Sequence, residues 1–234
     1  MVWIITLYGL IVGMVGTGLG GLISLFVKNT HRRSSFLLGL TGGFMMFIVT
    51  FHLLPESFLL GNIYSTLTGI FIGILLIIFV EVALKKKMEN TYTKTGLLLG
   101  ISIAVHNFPE GLALGSSFLT LSDLGPTLAI AMLLHNIPEG ISVAMPLKLN
   151  RLSPWKVVLY TILTGLPTGI GTFVGFTVGN ISSKFISLCL SFAGGTMLYI
   201  ICDEIIPNAK AIHKGRASSI GIILGFSLGI ILYF

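Results

Sequence analysis

Two short phrases interrupt an otherwise apolar chain with the same polar residues. AVHNFPEGLA carries His106, Asn107, Pro109 and Glu110, and 29 residues later LLHNIPEGIS returns His135, Asn136, Pro138 and Glu139 in the same order. On a helix, residues three and four apart share a face. His106 and Glu110 therefore line up with Asn107 beside them, and His135, Asn136 and Glu139 repeat the edge on a second helix. A carboxylate at the centre of a membrane helix costs about 2.5–3.5 kcal/mol on insertion scales, so Glu110 and Glu139 must face the interior and meet a partner. The nearest basic residues lie in loops. A divalent cation is the partner that fits, because two carboxylates and one doubly charged ion sum to zero and remove the cost of an uncompensated buried charge.

Imidazole, amide and carboxylate donors without thiolate suit Zn²⁺, with Fe²⁺, Mn²⁺ and Cd²⁺ as alternatives; Mg²⁺ and Ca²⁺ prefer shells of oxygen alone and Cu(I) prefers sulfur. Zinc leads. Met45, Met46, Met132 and Met197 are expected to fill the core rather than bind metal. Pro109 and Pro138 each lack an N–H, so each helix should kink beside its histidine and leave a backbone acceptor free, at Val105 and at Leu134. No HExxH segment occurs in the chain. With both carboxylates in the ligand set no base is left for a membrane-embedded zinc hydrolase, which is the rival reading from another class. A metal-gated channel would share the site and differ in lacking closed states. A transporter, not an enzyme, is the expectation.

The elements that must hold these edges follow from composition. Of 234 residues 54% are hydrophobic and 9% charged, with a mean hydropathy of +0.99, which places the chain in the lipid bilayer. A span needs about 20 apolar residues. The apolar runs give eight, over residues 3–27, 35–59, 63–84, 95–119, 126–147, 155–178, 185–206 and 217–234. The fold class is an all-α integral membrane protein forming one transporter domain over 1–234. His106 and His135 then fall about eleven and about nine residues into their helices, near the middle of a core about 30 Å thick.

The chain opens on MVWIITLYGL, without the basic start and small-residue cleavage site of a signal peptide, so the first helix is expected to be retained. Cys189 and Cys202 lie on one predicted helix about 20 Å apart, too far for a disulfide. Thirteen of the fourteen basic residues fall in loops on one side, with Lys184 opposite. By the positive-inside rule those loops are cytoplasmic and both termini are extracytoplasmic, in a multi-pass protein of the cell (plasma or inner) membrane. The net charge of +6 then answers anionic headgroups, and no nucleic-acid partner is implied. His31 and His213 sit in short loops, and Glu81 precedes lysines that it can pair with on the surface. A homodimer is the assembly considered.

An internal repeat organises the helices. GGFMMFIVTFHLLPES (residues 42–57) aligns without a gap to GGTMLYIICDEIIPNA (residues 194–209) at an offset of 152, and Thr17 to Gly20 matches Thr168 to Gly171 at 151. Helices 1–3 (residues 3–84) thus resemble helices 6–8 (residues 155–234), with a central pair (residues 95–147) between. The second helix runs outward and the seventh inward, so the copies are inverted: 3+2+3 about a pseudo-two-fold axis in the membrane plane. Glycines at four-residue spacing, such as Gly221, Gly225 and Gly229, allow close helix packing. The repeat places His52 and Glu56 toward the outward mouth and Asp203 and Glu204 toward the inward one, as relay ligands along the pathway, with a solvated cap as the alternative reading of Glu56 at the membrane boundary.

HNFPEG and HNIPEG, with HLLPES in the second helix and DEIIPN in the seventh, resemble the prokaryotic branch of the ZIP family of divalent-metal transporters. The resemblance implies an eight-helix carrier in which His106, Glu110, His135 and Glu139 hold the transported ion. Asn107 and Asn136 with the same glutamates would form an adjoining second position. It also implies uptake into the cytoplasm by alternating access. Many members of that family contribute a Glu-Pro pair from the sixth helix to the second position, where this chain has Thr168 and Gly169. One well-formed ion is therefore expected.

Overall fold

Inside hydrocarbon a backbone must bond to itself, and a helix does so within one segment. The computed structural model describes residues 1–26, 30–86, 92–120, 123–149 and 152–233. Residues Lys28, Lys87 and Arg151, and the side chains of Glu81, Lys85, Lys86, Lys94 and His106, lie outside what it describes. The described residues form eight helices in the predicted order. They are α1 (Val2–Phe26), α2 (His31–Leu60), α3 (Ile63–Lys86), α4 (Tyr92–Ser117), α5 (Leu124–Leu149), α6 (Pro154–Gly179), α7 (Ser183–Ile212) and α8 (Ala217–Tyr233). Among them α1, α2, α3, α5, α6 and α7 are long and apolar enough to cross a membrane, and α8 contributes a shorter apolar stretch, Ala217–Ile231. Phe71, Leu75 and Phe79, one face of α3, are exposed, as a lipid-facing stripe must be.

The predicted boundaries hold to within a few residues, except that α7 continues to Ile212 rather than stopping at Ile206. Proline at 207 does not end it, because the helix changes register first. Ile201–Ile205 is a π turn, in which the Ile206 N–H reaches back to the Ile201 carbonyl, and Pro207 starts the next α-helical stretch. In α2 the same device occurs over Val49–Leu53, with Leu54 N–H bonded to the Val49 carbonyl and Pro55 following. The wider turn absorbs the carbonyl that each proline would otherwise strand. By contrast α4 and α5 run as uninterrupted helix through Pro109 and Pro138. The real interruption is in α6, at Gly165.

The inverted repeat is visible in contacts. A side chain at Gly111 of α4 would run into the Thr168 backbone of α6, and one at Gly140 of α5 into the Thr17 backbone of α1. These pairs are equivalents, 29 positions apart on the central helices and 151 apart on the outer ones. Likewise Gly43 faces the Ile222 carbonyl and Gly195 the Ile70 carbonyl, both shifted by 152. Close approach at these glycines supplies the packing that helices in lipid depend on. The helices sort into two groups: α4 packs most heavily on α6 and α5 on α1, while α8 packs on α2 and α3 on α7. Met45 and Met197, equivalent residues, and Met132 are fully buried in the main apolar cluster, which is the core-filling role expected of them.

Candidate metal centre

The centre lies where α4 and α5 face each other. Glu110 and His135, from the two separate motifs, meet there: His135 Nε2 stands 3.1 Å from Glu110 Oε1, with both side chains wholly buried. His135 Nδ1 lies 3.0 Å from the Ala131 carbonyl one turn back. A carbonyl can only accept, so Nδ1 carries the hydrogen and donates it, leaving Nε2 for the carboxylate. Phe44 flanks the imidazole at a ring separation of 6.2 Å. Glu139, one turn along α5, is 4% exposed, and Asn107 and Asn136 are fully buried.

His106 belongs to the described helix α4, but its side chain lies outside the described residues. Among the described side chains no three His, Cys, Asp or Glu groups are close enough to hold one ion. Glu110 with His135 is therefore the part of the predicted set that the structure brings together directly.

The asparagines differ. Asn107 Nδ2 donates to the Thr164 carbonyl of α6 at 2.7 Å. The spacing of the motif gave no sign of this bond, which depends on the interruption of α6; the signal was Gly165 two residues before Pro167, a pair that weakens a helix from both sides. Neither Oδ1 nor Nδ2 of Asn136 has a hydrogen-bond partner among the described residues, and the same holds for Thr168 Oγ1. Asn136 sits against α1, where Gly16 makes room for its Cβ.

The outlying ligands fall in or beside the two π turns. His52 is buried within the first, edge-on to Phe47 at 5.3 Å, in a cluster that includes Phe51 and Phe226. Glu56 follows one turn later and is partly buried. Asp203 and Glu204 lie in the second, where Asp203 is exposed and its Oδ2 accepts from the Tyr199 hydroxyl at 3.2 Å, and Glu204 is partly buried. A π turn at such positions is a recurrent mark of function.

A family model described as ZIP zinc transporter matches residues 85–233. Similar proteins include the zinc transporter ZupT of Chlorobium limicola, 31% identical over 245 residues that cover 92% of this chain and 91% of that protein. ZupT of Clostridium perfringens is 32% identical over 253 residues, covering 90% and 88%. The zinc transporter GufA of Myxococcus xanthus is 37% identical over 158 residues, covering 65% and 61%.

Proposed function

Since the chain belongs to the ZIP family of zinc transporters, we propose that it carries zinc across a membrane through the centre between α4 and α5. The observation that carries this reading is the buried 3.1 Å contact of His135 Nε2 with Glu110 Oε1. Two lone pairs at that distance repel, so a proton lies between them when the ion is absent. Zinc takes its place and the proton leaves.

His106, Glu110, His135 and Glu139 hold the ion, with Asn107 and Asn136 at the adjoining position. Thr168 supplies no carboxylate there, so one zinc is bound well. Fe²⁺, Mn²⁺ and Cd²⁺ compete through the same donors. His52 and Glu56 pass the ion in from one mouth, and Asp203 and Glu204 pass it out at the other. The packing of the helices supports alternating access, with α1, α4, α5 and α6 moving against α2, α3, α7 and α8. The chain acts as one transporter domain over 1–234 of the cell membrane, made of two inverted three-helix repeats around a central pair. Both termini lie outside, the basic loops are cytoplasmic, and transport runs into the cytoplasm. A second copy is its expected partner besides the metal and the lipid.

Radiotracer zinc uptake into proteoliposomes tests the site. His135→Ala and Glu110→Ala, reconstituted to the same density as the parent chain, should lose flux; normal flux in either removes the assignment.

A further inference from the structure

Helices α1 and α6 are equivalents, and each carries a buried threonine at the same position, Thr17 and Thr168. In α1 the Thr17 hydroxyl donates to the Gly13 carbonyl four residues back at 2.9 Å. The matching bond in α6 would run from Thr168 to Thr164. It is absent, and Thr168 Oγ1 has no hydrogen-bond partner among the described residues. The Thr164 carbonyl is instead taken by Asn107 Nδ2 from α4.

That carbonyl is available because α6 is broken. Pro167 has no N–H for the Leu163 carbonyl and crowds it, and the Thr168 amide turns to the Gly165 carbonyl at 3.2 Å instead of reaching Thr164. The unbroken α1 offers Asn136 no such acceptor. A carboxamide has one end that donates and one that accepts, and a carbonyl takes only the first. Asn107 is thereby held in one orientation. Its Oδ1, buried and without a hydrogen-bond partner among the described residues, is the end left to meet a cation.

We propose that the break in α6 makes the Thr164 carbonyl a positioning group for zinc. It locks Asn107 so that Oδ1 is a pre-set neutral oxygen on the α4 wall, while Asn136 on the α5 wall adjusts as the ion arrives. The inference rests on the reading of the centre given above. A donor already oriented before binding needs no ordering when the ion arrives, so the effect falls on affinity rather than on turnover.

The test is zinc uptake by the full chain in proteoliposomes, with KM and maximal rate measured for Pro167→Ala, Asn107→Ala, Asn136→Ala and the two double variants that contain Pro167→Ala. Restoring the N–H at 167 straightens α6, returns the Thr168 amide to Thr164 and releases Asn107. Pro167→Ala should raise KM about 10-fold, as loss of a ligand's supporting bond does, with the maximal rate held within about 2-fold. Added to Asn107→Ala it should change nothing further, whereas with Asn136→Ala the two effects should multiply. Multiplication in both backgrounds, an unchanged KM, or a loss confined to the maximal rate overturns the proposal.

Should Pro167→Ala not fold, Asn107→Asp and Asn136→Asp decide. A carboxylate cannot donate to Thr164, so the first raises KM and the second does not; equal effects overturn it. Failure of the centre itself looks different, since Asn107→Ala and His135→Ala would then both leave the KM for zinc untouched.

Discussion

The two inverted halves agree in their glycines and disagree in their hydroxyls. Gly43 against Ile222 and Gly195 against Ile70 are one contact made twice, as are Gly111 against Thr168 and Gly140 against Thr17. At one end of the bundle the Ser57 hydroxyl meets Thr66 Oγ1 at 2.9 Å and Ser187 Oγ at 3.1 Å, and donates to the Ser187 carbonyl at 2.9 Å, tying α2, α3 and α7 together. At the opposite end the equivalents of Thr66 and Ser187 are Ser218 and Ser35, but Ala209 stands where Ser57 would. Ser35 Oγ and Ser218 Oγ are buried with no hydrogen-bond partner among the described residues. Close backbone approach sets the fold and was kept twice. Polar bonds bias one end or one wall against the other, and there the halves part.

The largest effect probes what the halves share at the centre. Glu110→Ala and Glu139→Ala should each cut radiotracer zinc uptake by about 100-fold or more, since each leaves an incomplete and uncompensated buried site; a loss confined to one of them breaks the equivalence. Next come the shared glycines. Gly111→Val and Gly140→Val should each destabilise the protein by about 1–3 kcal/mol through overpacking against a backbone, read as matched falls in thermal midpoint in detergent. Unequal falls would show that one outer helix yields where the other does not.

The smallest effect sharpens the contrast between the ends. Ser57→Ala should lower stability by about 0.6 kcal/mol, the average for a hydrogen bond between membrane helices, with about 1.7 as the ceiling. Ala209→Ser, placed between Ser35 and Ser218, should raise the thermal midpoint by a similar amount. If the added hydroxyl lowers it instead, Ser35 and Ser218 do not lie within reach of position 209.

Much of this architecture could be read in the chain. The apolar runs gave the eight spans, because a bilayer leaves a helix few other ways to satisfy its backbone. The paired HNxPEG phrases pointed to facing helices, and Glu110 with His135 is where they meet. The offset of 152 pointed to the repeat, and the glycine contacts follow it. What escaped depends on partners distant in sequence. Pro109 and Pro138 stand inside continuous helices, whereas Pro55 and Pro207 follow π turns and Pro167 follows the break at Gly165. Local sequence says that a proline needs an accommodation, not which one the neighbouring helices permit. Asn107 and Asn136 look identical in their phrases and differ because α6 is broken and α1 is not.

The π turns carry a historical consequence. Each adds a residue to a helix, and both sit at one register position, ending two residues before a proline. Two separate gains at the same place make the costlier history; a single gain in a half-length ancestor, duplicated afterwards, leaves this trace. His52 in one copy and Glu204 in the other are then later tenants of an older bend, so the backbone shape at the mouths was inherited in common and the side chains it presents diverged.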